Sequence, residues 1–135
     1  MFNILITDDL SPQSLEKLKA ADDANFDVVR RPSLERLREI IATYDALIIR
    51  SSVQVGADLL EAASQLKVIG RAGVGLDTVD IDAASLRGVI VMNTPGANTI
   101  ATAEHAIAML LALCRHVPQA DASTRIGQWM RSQFL

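Results

Sequence analysis

One cysteine, few aromatics and no surplus of positive charge mark this sequence, and each shortage closes off a class of function. Cys114 stands alone in 135 residues, so neither an internal disulfide nor a cysteine-rich metal site can form. It lies in an apolar helical stretch and is expected to be a small buried hydrophobe in a reduced, cytoplasmic setting. Thirteen Lys and Arg against sixteen Asp and Glu leave a net charge of -3 and a pI near 5.3. The basic residues are scattered, whereas phosphate neutralisation needs them gathered on one face, so no nucleic-acid partner is expected. The longest strongly apolar run, Ala106 to Cys114, is nine residues, far short of the ~20 needed to cross a bilayer, and no membrane span is expected. Met1-Phe2-Asn3 runs straight into a strand-like segment without the basic region, apolar run and cleavage site of a signal peptide, so export is not expected.

What the sequence does have is Ala, Val, Ile and Leu. Half of the residues are apolar and only 4% aromatic, a balance that suits buried parallel strands covered by helices. Short β-branched runs alternate with amphipathic stretches. Strands are expected at Asn3 to Thr7, Phe26 to Arg30, Ala46 to Ile49, Val68-Ile69 and Val89 to Met92. Helices are expected to open at Ser11-Pro12, to follow Ser33 as N-cap, to run from Asp58 to Ala63, and to run from Ile81 to Leu86 with Gly88 closing the last. The class is therefore α/β: a flavodoxin-like, doubly wound parallel sheet of five strands spanning residues 1–97. From Asn98 the character changes. Thr99 to His116 reads as one long helix, apolar around most of its circumference, ended by Pro118 and followed by a helical segment through Ile126, Trp129 and Met130. Residues 98–135 read as an appendage of linker helices.

Ligands of open α/β sheets gather at the carboxyl ends of the strands. Those ends carry Asp8-Asp9, Arg50-Ser51-Ser52, Gly70-Arg-Ala-Gly-Val-Gly75 and Asn93-Thr-Pro-Gly-Ala-Asn98. Three of the four suit an anion: Arg50 offers a planar fork of donors, the serines offer hydroxyls, and the glycine-flanked amides of Val74 and Gly75 can approach a bound oxygen closely. The bland alternative is that Arg50 pairs with an acid, the serines cap the next helix, and the glycines only make a turn.

Other motifs carry less. Gly73-Val-Gly75 resembles the start of a dinucleotide-binding fingerprint, but Thr78 stands where the third glycine belongs and Asp77 where a pyrophosphate would approach. Asp8-Asp9 resembles the acidic corner of a response-regulator receiver. That domain also needs an acceptor Asp at the end of its third strand, where Arg50 and Ser51 stand, while Asp45 lies at the strand's start. His105, beside Glu104 on the long helix, is expected to pack or hydrogen-bond rather than act as a base. Trp129 and the methionines are expected to be packing residues. No metal site is expected.

These same loops resemble the D-2-hydroxyacid dehydrogenase family, whose substrate domain carries Ile-Arg-Ser, Gly-Arg-Ala-Gly-Val-Gly-x-Asp-x-Val-Asp and Asn-Thr-Pro in this order. Here they read Ile49-Arg50-Ser51, Gly70 to Asp80 and Asn93-Thr94-Pro95, and Gly96 to His105 continues the likeness into the long helix. Arg50-Ser51, Arg71 and Asn98 are most similar to the branch that oxidises 3-phosphoglycerate with NAD, opening serine synthesis. The resemblance implies that Arg50 and Arg71, assisted by Ser51, hold the substrate phosphate. It implies that the amides of Val74 and Gly75 hold the carboxylate, that Asn98 touches substrate, and that Val74 makes an edge contact with the cofactor. The family's dinucleotide-binding glycine motif and its catalytic Arg, acid and His follow this segment and are not among these 135 residues. The chain by itself is therefore expected to bind NAD weakly at most, to be inactive, and to form a homodimer through the 99–116 helix. The resemblance leaves two alternatives open, a glyoxylate or hydroxypyruvate reductase and a non-catalytic dimerising scaffold.

Overall fold

The computed structural model describes residues 1–134, and their contacts divide the chain into two compact units, Met1–Ala97 and Asn98–Leu135. The first contains five parallel strands, β1 (Phe2–Ile6), β2 (Ala24–Val28), β3 (Ala46–Ile49), β4 (Val68–Arg71) and β5 (Ile90–Met92). They lie in the order β2-β1-β3-β4-β5, the doubly wound order of flavodoxin-like sheets. Four helices connect them: α1 (Pro12–Lys19), α2 (Leu34–Ile40), α3 (Ala57–Ala62) and α4 (Ile81–Leu86).

Local chemistry sets the helix ends. The Ser11 and Ser33 hydroxyls accept from the amides of Ser14 and Arg36, and Asp80 accepts from Ala83, each satisfying a first-turn N–H that the helix leaves unpaired. After α4, Gly88 takes φ +72°, the left-handed turn that a side chain resists and that closes a helix before the next strand. One strand departs from expectation. β2 begins at Ala24 and ends at Val28, two residues earlier than its β-branched residues suggest, because pairing with β1 sets its register from Phe2↔Ala24 to Ile6↔Val28. Ala24 and Asn25 are poor strand formers, recruited by their neighbour.

The sheet is covered unequally. Leu5, Leu47 and Ile69 are cross-strand partners on one face. With Ile49 they are wholly buried against Leu37, Ile41, Leu59, Leu60 and Ala84. On the other face, reached by every second residue, Ile90 and Met92 are 63% and 59% exposed and Phe2 is 49% exposed. α1 lies against β2 there and buries no residue of its own.

The second unit contains α5 (Thr99–Cys114) and α6 (Val117–Arg125). α5 stops at Cys114 because the chain bends at His116, in left-handed conformation at φ 50°. Pro118 does not end α5. It sits in the first turn of α6, where its missing N–H is harmless. α6 in turn stops at Arg125, before Gly127 at φ +77°, so Trp129 and Met130 lie outside it. Neither helix buries a residue. Cys114 is exposed rather than buried, and Trp129 and Met109 are 82% and 61% exposed rather than packed. An apolar helix announces that it needs partners. It does not say which chain segment supplies them. No single helix among the described residues is long and apolar enough to cross a membrane; α5 and α6 meet that test only together, across a 66° bend.

Candidate functional site

The carboxyl ends of β1, β3, β4 and β5 are tied in sequence by side chains that reach main-chain atoms. Asp8, immediately after β1 and 7% exposed, accepts from the Arg50 amide at 2.8 Å and from the Thr7 hydroxyl at 3.3 Å. The Arg50 carbonyl accepts from Arg71 Nε at 3.2 Å. Arg71 Nη1 donates to the Gly75 carbonyl, and its Nη2 lies 3.7 Å from Asp77 Oδ1. From β5, Asn93 Nδ2 donates to the Val74 carbonyl at 2.7 Å, and the Thr94 amide donates to the Gly73 carbonyl at 3.0 Å.

Each expected binding residue can be placed against this frame. Arg50 is exposed, and its guanidinium touches only the Asp9 carbonyl, at 3.5 Å. It enters no ion pair among the described residues; Asp9 pairs with Arg30 at 2.7 Å instead. Arg50 is thus a cation held at the rim of the sheet without an acid of its own, contrary to the bland alternative. Ser51 and Ser52 are exposed and do not cap α3, whose N-cap is Gly56. Val74 is 38% exposed and Gly75 is exposed. With the Val74 and Gly75 carbonyls engaged by Asn93 and Arg71, this loop has its acceptors occupied, as an anion site requires.

Arg71 differs from Arg50. Its side chain is 12% exposed, and its guanidinium spans two loop carbonyls and Asp77, so it braces the glycine loop. The glycines follow from that. A Cβ on Gly73 would meet Arg71 Nη1 at 2.7 Å, and one on Gly75 would meet Asp77 Oδ1 at 2.6 Å. Neither glycine is needed for a left-handed turn here, because neither has positive φ. The loop also fits a pyrophosphate poorly. Arg71 and Asp77 fill its inner side, and the next helix, α4, begins only at Ile81. Beside the loop, Arg71, Met92, Asn93 and Thr94 line a shallow open hollow of about 260 Å³.

Asn98 heads α5 in the second unit and is exposed, with no capping bond from its side chain. His105 is exposed on α5. Glu35, in the first turn of α2, is lowered by a backbone hydrogen bond and by Ser33; two further shifted titrations lie at the amino edge. Asp45, before β3, is held below its ordinary value by the hydrogen bond from Lys67 and the Asn3 amide, and Tyr44 is raised by burial and by its bond to Asp27. No cluster of metal-ligating residues occurs among the described residues.

Asn93 is the functional neighbour that motif reading passed over. Its triplet with Thr94 and Pro95 was visible, but its reach to the Val74 carbonyl depends on β4 and β5 lying side by side.

This geometry has known counterparts. Residues 4–131 match the catalytic domain of the D-isomer specific 2-hydroxyacid dehydrogenases. The chain belongs to that family. It is similar to D-3-phosphoglycerate dehydrogenase of Archaeoglobus fulgidus, 42% identical over 98% of this chain and 25% of the relative. It is also similar to D-3-phosphoglycerate dehydrogenase 3, chloroplastic, of Arabidopsis thaliana, 47% identical over 98% of this chain and 22% of the relative. The solved structure of NAD+-bound 3-phosphoglycerate dehydrogenase from Entamoeba histolytica superposes with a TM-score of 0.73 at 26% identity, covering 84% of this chain and 39% of that one. The chain therefore spans about a quarter of the length of the curated relatives it matches, and the sheet described above is the family's own α/β fold.

Proposed function

We propose that residues 1–97 form the substrate-binding part of an NAD-dependent D-3-phosphoglycerate dehydrogenase, which converts 3-phosphoglycerate to 3-phosphohydroxypyruvate in L-serine biosynthesis. The observation that carries the reading is Arg50, a cation without an acidic partner among the described residues, beside a loop whose carbonyls are already engaged. A small molecule with a phosphate at one end and a carboxylate at the other fits that pair of features, the fork taking the phosphate and the Val74 and Gly75 amides the carboxylate. Ser51 would assist Arg50, and Asn98 would add a further contact. Arg71 acts on phosphate only if its guanidinium leaves the loop carbonyls. The phosphoglycerate dehydrogenases to which the chain is similar support the substrate.

In the whole protein NAD would accept the hydride, with Val74 touching its edge. The pyrophosphate has no cradle in this loop, where Arg71 and Asp77 stand. α5 favours a homodimer, since Ile107, Leu110 and Leu111 are 58%, 59% and 58% exposed, a larger apolar stripe than a monomer usually shows. The exposed free thiol of Cys114 suits a reducing cytoplasm.

The test is a titration of 3-phosphoglycerate into isotope-labelled chain, followed by amide shifts, with inorganic phosphate and glycerate as controls. Shifts centred on Arg50, Val74 and Gly75 that exceed those from either control support the reading. Shifts identical with those from phosphate refute a preformed half-site.

A further inference from the structure

An acidic residue at the rim of an anion site needs an explanation, because a carboxylate free to face a phosphate would repel it. Asp8 is such a residue, and it is nearly buried, at 7% exposure. Its burial is compensated by hydrogen bonds, as burial of a charge requires.

The position of those bonds is informative. β1 and β3 pair from Ile4↔Ala46 to Ile6↔Ile48, and the Thr7 amide makes one further ladder bond to the Ile48 carbonyl at 3.1 Å. There the main-chain ladder ends, because β1 turns away toward α1. The Arg50 amide would then face the strand gap without a main-chain acceptor. Asp8 Oδ2 takes that amide at 2.8 Å, standing in for the missing carbonyl. The same segment reaches Arg50 twice, since the Asp9 carbonyl accepts from the Arg50 guanidinium at 3.5 Å. The gap between β1 and β3 is also where the winding of a sheet in this order reverses, the place at which such folds bind ligands.

We propose that Asp8 is a positioning residue for substrate binding: its carboxylate fixes the main chain of Arg50 at the end of β3 and so aims the Arg50 guanidinium at the substrate phosphate. This rests on the reading of Arg50 given above. The acid does not touch substrate. Its role is geometric, through an acceptor oxygen of fixed reach, and its charge is absorbed by the Arg50 amide and the Thr7 hydroxyl.

Two substitutions separate geometry from charge. Asp8→Asn removes the charge and keeps a carbonyl oxygen at the same reach, whereas Asp8→Glu keeps the charge and moves the oxygens outward by one methylene. In the labelled 135-residue chain, 3-phosphoglycerate is titrated into wild type and both variants, and the hydrogen-exchange rate of the Arg50 amide is measured without ligand. The expected result is that Asp8→Asn keeps both the Arg50 amide protection and the ligand affinity within about threefold. Asp8→Glu should lose about tenfold in each, the range for a buried donor left without its acceptor. An Arg50→Ala background, which keeps the main-chain amide, should abolish the difference in affinity between the two variants while leaving that in amide protection, since Asp8 acts on substrate only through the Arg50 side chain. The reverse order, with Asn losing and Glu retaining affinity, would make the effect one of charge and overturn the proposal. Equal affinities, equal losses, or an affinity difference that survives Arg50→Ala overturn it too. Absence of ligand shifts in the wild type overturns the functional reading first and this proposal with it, whereas wild-type shifts with indifferent variants overturn this proposal alone.

Discussion

The two faces of the five-stranded sheet are both built from apolar residues, yet only one of them is covered across its width. Leu47 and Ile69 are wholly buried beneath α2, α3 and α4, while Ile90 and Met92, one position away along their strand from the buried register, stand more than half exposed. The second unit extends the contrast, since α5 is largely apolar and buries nothing. Parallel strands stabilise a fold through burial on both sides. The first unit therefore draws most of its stability from one face; on the other, Ile6 is wholly buried, but Ile90 and Met92 in the same rows and α5 are surfaces whose apolar character contributes little to this chain.

Substitutions can break that comparison. The largest effect is expected from Leu47→Ala, which should lower the unfolding free energy by about 2–5 kcal/mol in urea titrations. Ile90→Ala, across the sheet, should stay within about 1 kcal/mol. Equal losses would mean that the exposed face is a core after all. At the carboxyl edge, Gly73→Ala should cost about 1–3 kcal/mol, because the new Cβ displaces the nearly buried Arg71 guanidinium from two carbonyls. Gly75→Ala should cost less than about 1 kcal/mol, because its tight contact is with the exposed Asp77 side chain, while Arg71 Nη1 at 3.5 Å is at ordinary van der Waals distance. A reversed order in thermal melts would refute the bracing role of Arg71.

Smaller effects sharpen the picture. Leu110→Gln should alter stability by no more than about 0.5 kcal/mol while lowering the weight-average mass in light scattering at high concentration. A mass unchanged from wild type would remove α5 from any dimer. At the amino edge, the bond from Lys67 lowers the Asp45 titration, so its contribution is present above the ordinary value of 3.8 and disappears as pH falls through the lower folded value. Wild type and Lys67→Met should therefore differ in unfolding free energy at neutral pH and converge in acid. A difference constant with pH would exclude the pair as its source.

Much of the fold was legible because its signals are local. The apolar runs at β1 and β3, the caps at Ser11 and Ser33 and the glycine after α4 each act within a few residues. β2 was misplaced by two residues because its limits belong to β1, and Cys114, Trp129 and Met109 were expected to be buried because an apolar helix carries no mark of which neighbours are present. The strand-end loops were legible as a group, since the topology brings every carboxyl end to one edge. Their internal division was not.

The amino-acid sequence by itself determined the order of strands and helices, the edge at which chemistry would gather and the family to which the chain belongs, because periodicity, turn residues and long ordered motifs are properties of neighbours along the chain. The tertiary structure alone decided that Arg50 stands without an acidic partner among the described residues while Arg71 is turned inward, that Asp8 serves a main-chain amide 42 residues away, and that one face of the sheet leaves Ile90 and Met92 uncovered. Two arginines at the ends of adjacent strands are chemically alike in sequence. What separates them is the set of carbonyls, amides and carboxylates that other strands bring within hydrogen-bonding distance.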